Sequence, residues 1–126
     1  MRRTFLIAIP LLLLAGCQIL GPERFVVFYG QGSSQLDAQG QQVLATVAER
    51  ARQRPGTPVV VSGYADPAGT ADAAKKLAAQ RAQAVADALT RAGVDGQRIR
   101  RRAIGGVDYS MDSIESRRVE ITLGEN

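Results

Sequence analysis

From Phe25 onward the apolar positions alternate between two periods. Phe25, Val26, Val27, Phe28 and Tyr29 form a β-branched and aromatic run, followed by a polar loop from Gly30 to Ser34. Leu36, Val43, Leu44, Val47, Ala48 and Ala51 then recur at helical spacing until Pro55 and Gly56 stop the pattern. Val59, Val60 and Val61 are a continuous apolar strand, of the kind that helices cover on at least one face. A second helix is predicted from about Thr70 to Arg91, ended by Gly93. Ile99 to Ile104 and Arg118 to Leu123 supply two more strands. The order βαβαββ, without a long linker, repeat or low-complexity tract, predicts one α/β two-layer sandwich. Its two main helices pack on one face of a mixed four-stranded sheet.

Upstream of this pattern the chain has a different character. Arg2 and Arg3 precede an apolar run from Phe5 to Leu14 that is too short for a bilayer, which needs about 20 residues, and suits an export signal. Leu14, Ala15, Gly16 and Cys17 follow, and this stretch resembles the lipobox of bacterial lipoproteins. That resemblance implies removal of residues 1–16 as a signal peptide and acylation of Cys17, with residues 17–24 as a lipidated short tether and 25–126 as the folded domain. Gln18, which is not Asp, then favours the outer membrane, with the domain lipid-anchored and facing the periplasm. Gln18 to Arg24 is seven residues and spans at most about 25 Å, so the domain stays close to its membrane.

The 126 residues carry 16 basic and 12 acidic side chains, no His and one Cys. Loss of Arg2 and Arg3 with the signal leaves 14 basic against 12 acidic, so the basic balance belongs partly to the discarded segment. Absent histidine excludes an imidazole base, a Ser-His-Asp triad and histidine zinc sites, and a single cysteine excludes an internal disulfide. These exclusions point to a binding or structural role without cofactor or metal.

One charge interrupts the second helix. At 100° per residue, with Arg81 as the zero direction, Ala74, Leu77, Ala84, Val85, Ala88 and Ala92 lie within about 60° of it. Lys75, Lys76, Gln80, Gln83, Asp87 and Arg91 lie about 80° or more away. An arginine in the apolar stripe is a structural ion pair, a stem that snorkels outward, or a binding group awaiting a carboxylate. Asp66 closes the second strand just before this helix, where α/β sheets tend to bind ligands. Gly63 permits close backbone approach, and Pro67 and Gly69 build the turn out of the strand. An acid and an arginine flanking an opening suit a zwitterion, the arginine taking a carboxylate and the acid an ammonium. The pair offers neither a nucleophile with its base nor the two carboxylates of a glycosidase.

The motif from Val61 to Thr70, the later Leu77, Gln80, Arg81 and Ala82, and Arg117 to Ile121 together resemble the OmpA-like peptidoglycan-binding domain. Peptidoglycan-associated lipoproteins carry the same domain. The likeness spans nearly all of Phe25 to Leu123 and implies non-covalent binding of the diaminopimelate of the peptidoglycan stem peptide. Asp66 then receives the ammonium and Arg81 the carboxylate, with Gly63, Tyr64, Ala65, Leu77 and Arg117 as secondary contacts. The chain departs from the family in having Ala74 for the usual Asn, Ala78 for Ser and Ser116 for Asn, and in a short loop from Gly106 to Glu115.

Two further expectations concern partners. The cluster Arg98, Arg100, Arg101 and Arg102 reads as a charged edge strand, with contact to anionic lipid or wall phosphates as its functional option. Export removes nucleic acid from consideration. The short tether motivates an alternative in which the same fold serves as a protein-interaction subunit of an envelope complex. A muramidase-like hydrolase is a distant third reading.

Overall fold

The computed structural model describes residues 21–66, 69–106 and 114–124. The signal segment, Cys17, Gln18, Pro67 and most of the 106–115 loop lie outside the described residues. Four strands, β1 (Glu23–Phe28), β2 (Val59–Ala65), β3 (Ile99–Gly106) and β4 (Arg118–Leu123), form one sheet in the order β1-β4-β2-β3. β4 runs antiparallel to both β1 and β2, while β2 and β3 are parallel. Helices α1 (Ala38–Gln53) and α2 (Ala71–Arg91) complete the predicted βαβαββ order.

Local chemistry explains the helix limits. The Asp37 side chain accepts from Gly40 N at 2.7 Å and Thr70 Oγ1 from Ala73 N at 3.1 Å, capping donors that no helical carbonyl reaches. α2 ends as expected at Gly93, whose φ of +99° suits glycine. There Val94 N donates to Leu89 O and Gly93 N to Thr90 O, both at 3.0 Å, and the side chains of Val94 and Leu89 enter the core.

Burial alternates along β2. Val59, Val61, Gly63 and Ala65 are buried, whereas Val60, Ser62 and Tyr64 are partly exposed. Val59 and Val61 pack with Leu44, Val47, Ala48 and Ala51 of α1, Val85 and Leu89 of α2, and Val119, Ile121 and Leu123 of β4. A smaller cluster, Ala65, Ala74 and Ala78 with Leu77 and Ala103 against it, closes the sheet near the end of β2. α2 is drawn tightly onto the sheet here: a Cβ on Gly63 would lie 2.1 Å from Ala78 O and 3.2 Å from Ala82 Cβ.

That close approach corrects the expected orientation of α2. Its buried residues are Ala74, Ala78, Arg81, Ala82, Val85, Ala86 and Leu89, whereas Ala92, expected in the stripe, is exposed. They span an arc of roughly 140° that starts at Arg81, so Arg81 lies at the edge of the buried face and not in its middle. Ala78 and Ala82, the residues over Gly63, mark the centre of contact instead.

Candidate functional site

The site forms where the carboxyl ends of two strands meet. β1 and β2 are both antiparallel to β4 and so point the same way, which brings the turn after β1 to the same end of the sheet as Asp66. Arg81 reaches across this end from α2. Its Nε donates to Ser33 O at 2.8 Å, Nη1 to Tyr64 O at 2.9 Å and Nη2 to Gly30 O at 3.2 Å. Its guanidinium carbon stands 5.2 Å from the centroid of the Tyr29 ring, a cation–π distance. The residue is wholly buried, with 0% exposure.

Arg81 thus snorkels nowhere and pairs with carbonyls, not with a carboxylate. A guanidinium has five N–H donors, of which these bonds use three, leaving one on each terminal nitrogen. Burial pushes its pKa down; Tyr29 raises it, Arg117 lowers it further and Asp66 raises it, in decreasing order of effect. Asp66 and Arg117 therefore both lie within electrostatic reach of the guanidinium. Burial likewise pushes the Tyr29 hydroxyl up to about 12, with Arg81 opposing and Asp37 adding to the shift.

Arg117 is placed by its main chain, since its carbonyl accepts from Tyr29 N at 2.8 Å. Its Nε is buried and has no hydrogen-bond partner among the described residues. Asp66 lines a cavity of about 240 Å³ together with Gln31, Gly32, Ala73, Ala74 and Leu77. The cavity has one acidic wall, an amide and a glycine from the turn after β1, and an apolar wall from the first turns of α2.

The other expected contacts divide by face. Gly63 and Ala65 are buried beneath α2, where they seat the helix and do not line the cavity at Asp66. Tyr64 contributes its carbonyl to Arg81, but its ring lies on the opposite face of the sheet. There its hydroxyl donates to Glu120 Oε2 at 3.4 Å and Arg118 stacks at 4.1 Å from the ring centroid. Ala74 and Ala78, the family departures, are both buried in the small alanine cluster, and Ser116 is buried as well. Sequence reasoning missed Tyr29 and the carbonyls of Gly30 and Ser33. The strand-end rule that singled out Asp66 would have reached them had the parallel direction of β1 and β2 been known.

Among the described residues no group of His, Cys, Asp and Glu could hold a metal ion, and no helix is long and apolar enough to cross a membrane. Fold and site together define an α/β binding module, with an acid at a strand end and two arginines behind it. The chain belongs to the OmpA family, whose profile matches residues 28–118. It is 37% identical over 103 residues to the probable lipoprotein YiaD of Escherichia coli (strain K12), covering 77% of this chain and 47% of that protein. It is 32% identical over 104 residues to the peptidoglycan-binding protein ArfA of Mycobacterium tuberculosis (strain ATCC 25618 / H37Rv), covering 78% of this chain and 32% of that protein. The chain therefore spans less than half the length of these two relatives. Among solved structures, the peptidoglycan-associated lipoprotein from Burkholderia pseudomallei superposes with a TM-score of 0.71 at 24% identity, over 76% of this chain and 86% of that one, which shows the shared fold.

Proposed function

We propose that this protein is an outer-membrane lipoprotein that binds peptidoglycan non-covalently and ties the membrane to the wall. The observation that carries the reading is a fully buried arginine within electrostatic reach of the aspartate that lines a cavity at the strand ends. In this reading Asp66 receives the ammonium of diaminopimelate, and the two remaining donors of Arg81 receive its carboxylate. Arg117 adds positive potential and an unpaired buried donor. Ala73, Ala74 and Leu77 flank the methylene stem between the two charged ends. A carboxylate at Arg81 would be held by two parallel N–H bonds, one from each terminal nitrogen, the geometry in which a guanidinium recognises carboxylates. The role is that of a binding module and not an enzyme.

The tether fits the same reading. Residues 1–16 are removed and Cys17 carries the lipid; β1 begins at Glu23, two residues before the expected domain start at 25, so the tether is shorter than residues 17–24. Glu23 pairs with Leu123, which pairs with Val59, so the chain enters at the end of the sheet opposite Asp66. The seven residues of β2 separate the two ends by roughly 20 Å. A domain anchored at one end thereby turns its pocket away from the membrane and toward the wall. The experiment is co-sedimentation with purified peptidoglycan sacculi: wild type pellets with the wall and Asp66→Asn stays in the supernatant. Equal pelleting of the two would refute the assignment of Asp66.

A further inference from the structure

The arginine cluster that the pocket does not use separates into two kinds. Arg98 is structural. Its Nε donates to Thr57 O at 3.0 Å and its Nη2 to Ala51 O at 3.1 Å and Arg54 O at 2.9 Å, closing the carboxyl end of α1. Arg100, Arg101 and Arg102 are all exposed, and their side chains make no hydrogen bond or ion pair among the described residues. They stand on β3, the outer edge of the sheet. Register puts Arg101 on the helix-bearing side, opposite Val61, and Arg100 and Arg102 on the open side, opposite Val60 and Ser62. α2 packs along β3, with Ala103 against Ala74 and Ala78, yet Arg101 on that side stays exposed beside Ala79, Ala82 and Gln83.

We propose that the β3 edge docks on the anionic headgroups of the phospholipid bilayer to which the tether leads. This inference rests on the lipid anchor proposed above. Charge complementarity is its first support: three unpaired cations splay to both sides of one strand. Arg101 and Arg102 line a depression of about 380 Å³ with Gln83, Ala79, Ala82, Ile99 and Ala103, with no acid in its wall. Ile104, 45% exposed on the same strand, adds an apolar side chain. Position is the second support. Val59 pairs with both Ile99 and Leu123, and Leu123 with Glu23, so Arg100 stands about one residue from the level at which the tether enters. Three strand spacings, about 14 Å, separate β3 from β1, within the roughly 18 Å that residues 18–22 ahead of β1 can span. Edge protection against strand pairing explains some charge here. It does not explain why the unpaired arginines gather at the tether end while the ligand pocket lies at the other.

The test uses the acylated protein purified from membranes, carrying Gln97→Cys labelled with an environment-sensitive fluorophore. Gln97 is exposed and adjoins the patch. Reconstitution in phosphatidylcholine vesicles reads the anchor, because an unacylated chain does not float with them and its Cys17 also takes the label. Adding phosphatidylglycerol as a minority lipid reads the edge. The expected result is an emission shift only in the anionic vesicles, reversed by raised salt. Arg100→Gln with Arg102→Gln should weaken docking about thirtyfold, at about 1 kcal/mol for each arginine. Flotation without a phosphatidylglycerol response overturns the docking surface and leaves the anchor standing. A shift that survives the double substitution, or one produced by inorganic phosphate alone, also overturns it. So does loss of a cross-link to an envelope protein in the double variant with no lipid response, which would assign the edge to that protein.

Discussion

Gly63→Ala places a methyl group where the carbonyl of Ala78 lies. The added carbon would stand 2.1 Å from that oxygen, 2.9 Å from its carbon and 3.2 Å from Ala82 Cβ. The first two atoms are helix backbone and cannot swing aside, so α2 has to lift by about 1 Å over its middle turns to restore ordinary contact. Overpacking of a well-filled core typically costs 1 to 3 kcal/mol, and a clash with backbone belongs at or above the top of that range, so about 3 kcal/mol is expected. For a domain of about 100 residues that corresponds to a fall in Tm of about 12 to 24 °C. The lift also carries Arg81 away from Tyr64 O, so wall binding should weaken in protein that is still folded. The assay is thermal unfolding by circular dichroism beside a matched control, Gly96→Ala. A Cβ at Gly96 meets nothing within 4 Å. That change should leave Tm unchanged or raise it by a few degrees, since alanine narrows the unfolded ensemble by about 0.4 to 1 kcal/mol. A Gly63→Ala protein that melts with the wild type would refute the close seating of α2, and with it the placement of Arg81.

Tyr29 holds its proton up to about 12 in the fold, against about 10 unfolded, so its contribution is intact below pH 10 and is lost as pH rises from 10 through 12. The loss is about 2 to 3 kcal/mol, and urea unfolding of Tyr29→Phe should show a flatter decline over that window. Arg98→Ala removes three bonds from the end of α1 and the turn after it, although Ala51 O and Arg54 O keep backbone donors, and should cost about 1 to 3 kcal/mol in urea melts, with no selective effect on wall binding. Arg81→Lys keeps the charge but cannot fork to Ser33, Tyr64 and Gly30. It should lose both stability and ligand affinity, whereas Asp66→Asn loses affinity alone. Cys17→Ala should release the protein from the membrane fraction on fractionation of cells.

The periods of 3.6 and 2 placed both α-helices and the four strands of the described residues, though not the short 3-10 turn Gly96–Arg98, and Asp37, Thr70 and Gly93 marked helix ends by side-chain and backbone chemistry that is local. Arg81 was visible because a charge in an apolar stripe is costly wherever the stripe points. Its partners were not visible: Gly30 and Ser33 lie 51 and 48 positions away in the chain. They reach Arg81 only because β1 pairs with the last strand. The same holds for Arg98, whose carbonyl partners are 41 to 47 positions distant, and which read as one more arginine in a charged run. The rotation of α2 depended on one close contact at Gly63, and a helical wheel alone carries no information about the surface beneath it. Tyr64 shows the opposite case. Its neighbour Gly63 faces the helix, so strand alternation by itself assigns the Tyr64 ring to the other face.

The central claim is that one pocket reads both ends of a zwitterion, and the choice of stem peptide tests it directly. Diaminopimelate ends in an ammonium and a carboxylate, whereas lysine at the same stem position offers the ammonium without the carboxylate. Calorimetric titration with the two muropeptides should give saturable binding for the diaminopimelate form. The lysine form should bind at least tenfold more weakly, since a charge-assisted hydrogen bond contributes about 1.5 to 3 kcal/mol. Asp66→Asn should abolish the binding of both. Equal affinity for the two muropeptides, or a diaminopimelate isotherm unchanged by Asp66→Asn, would contradict the account.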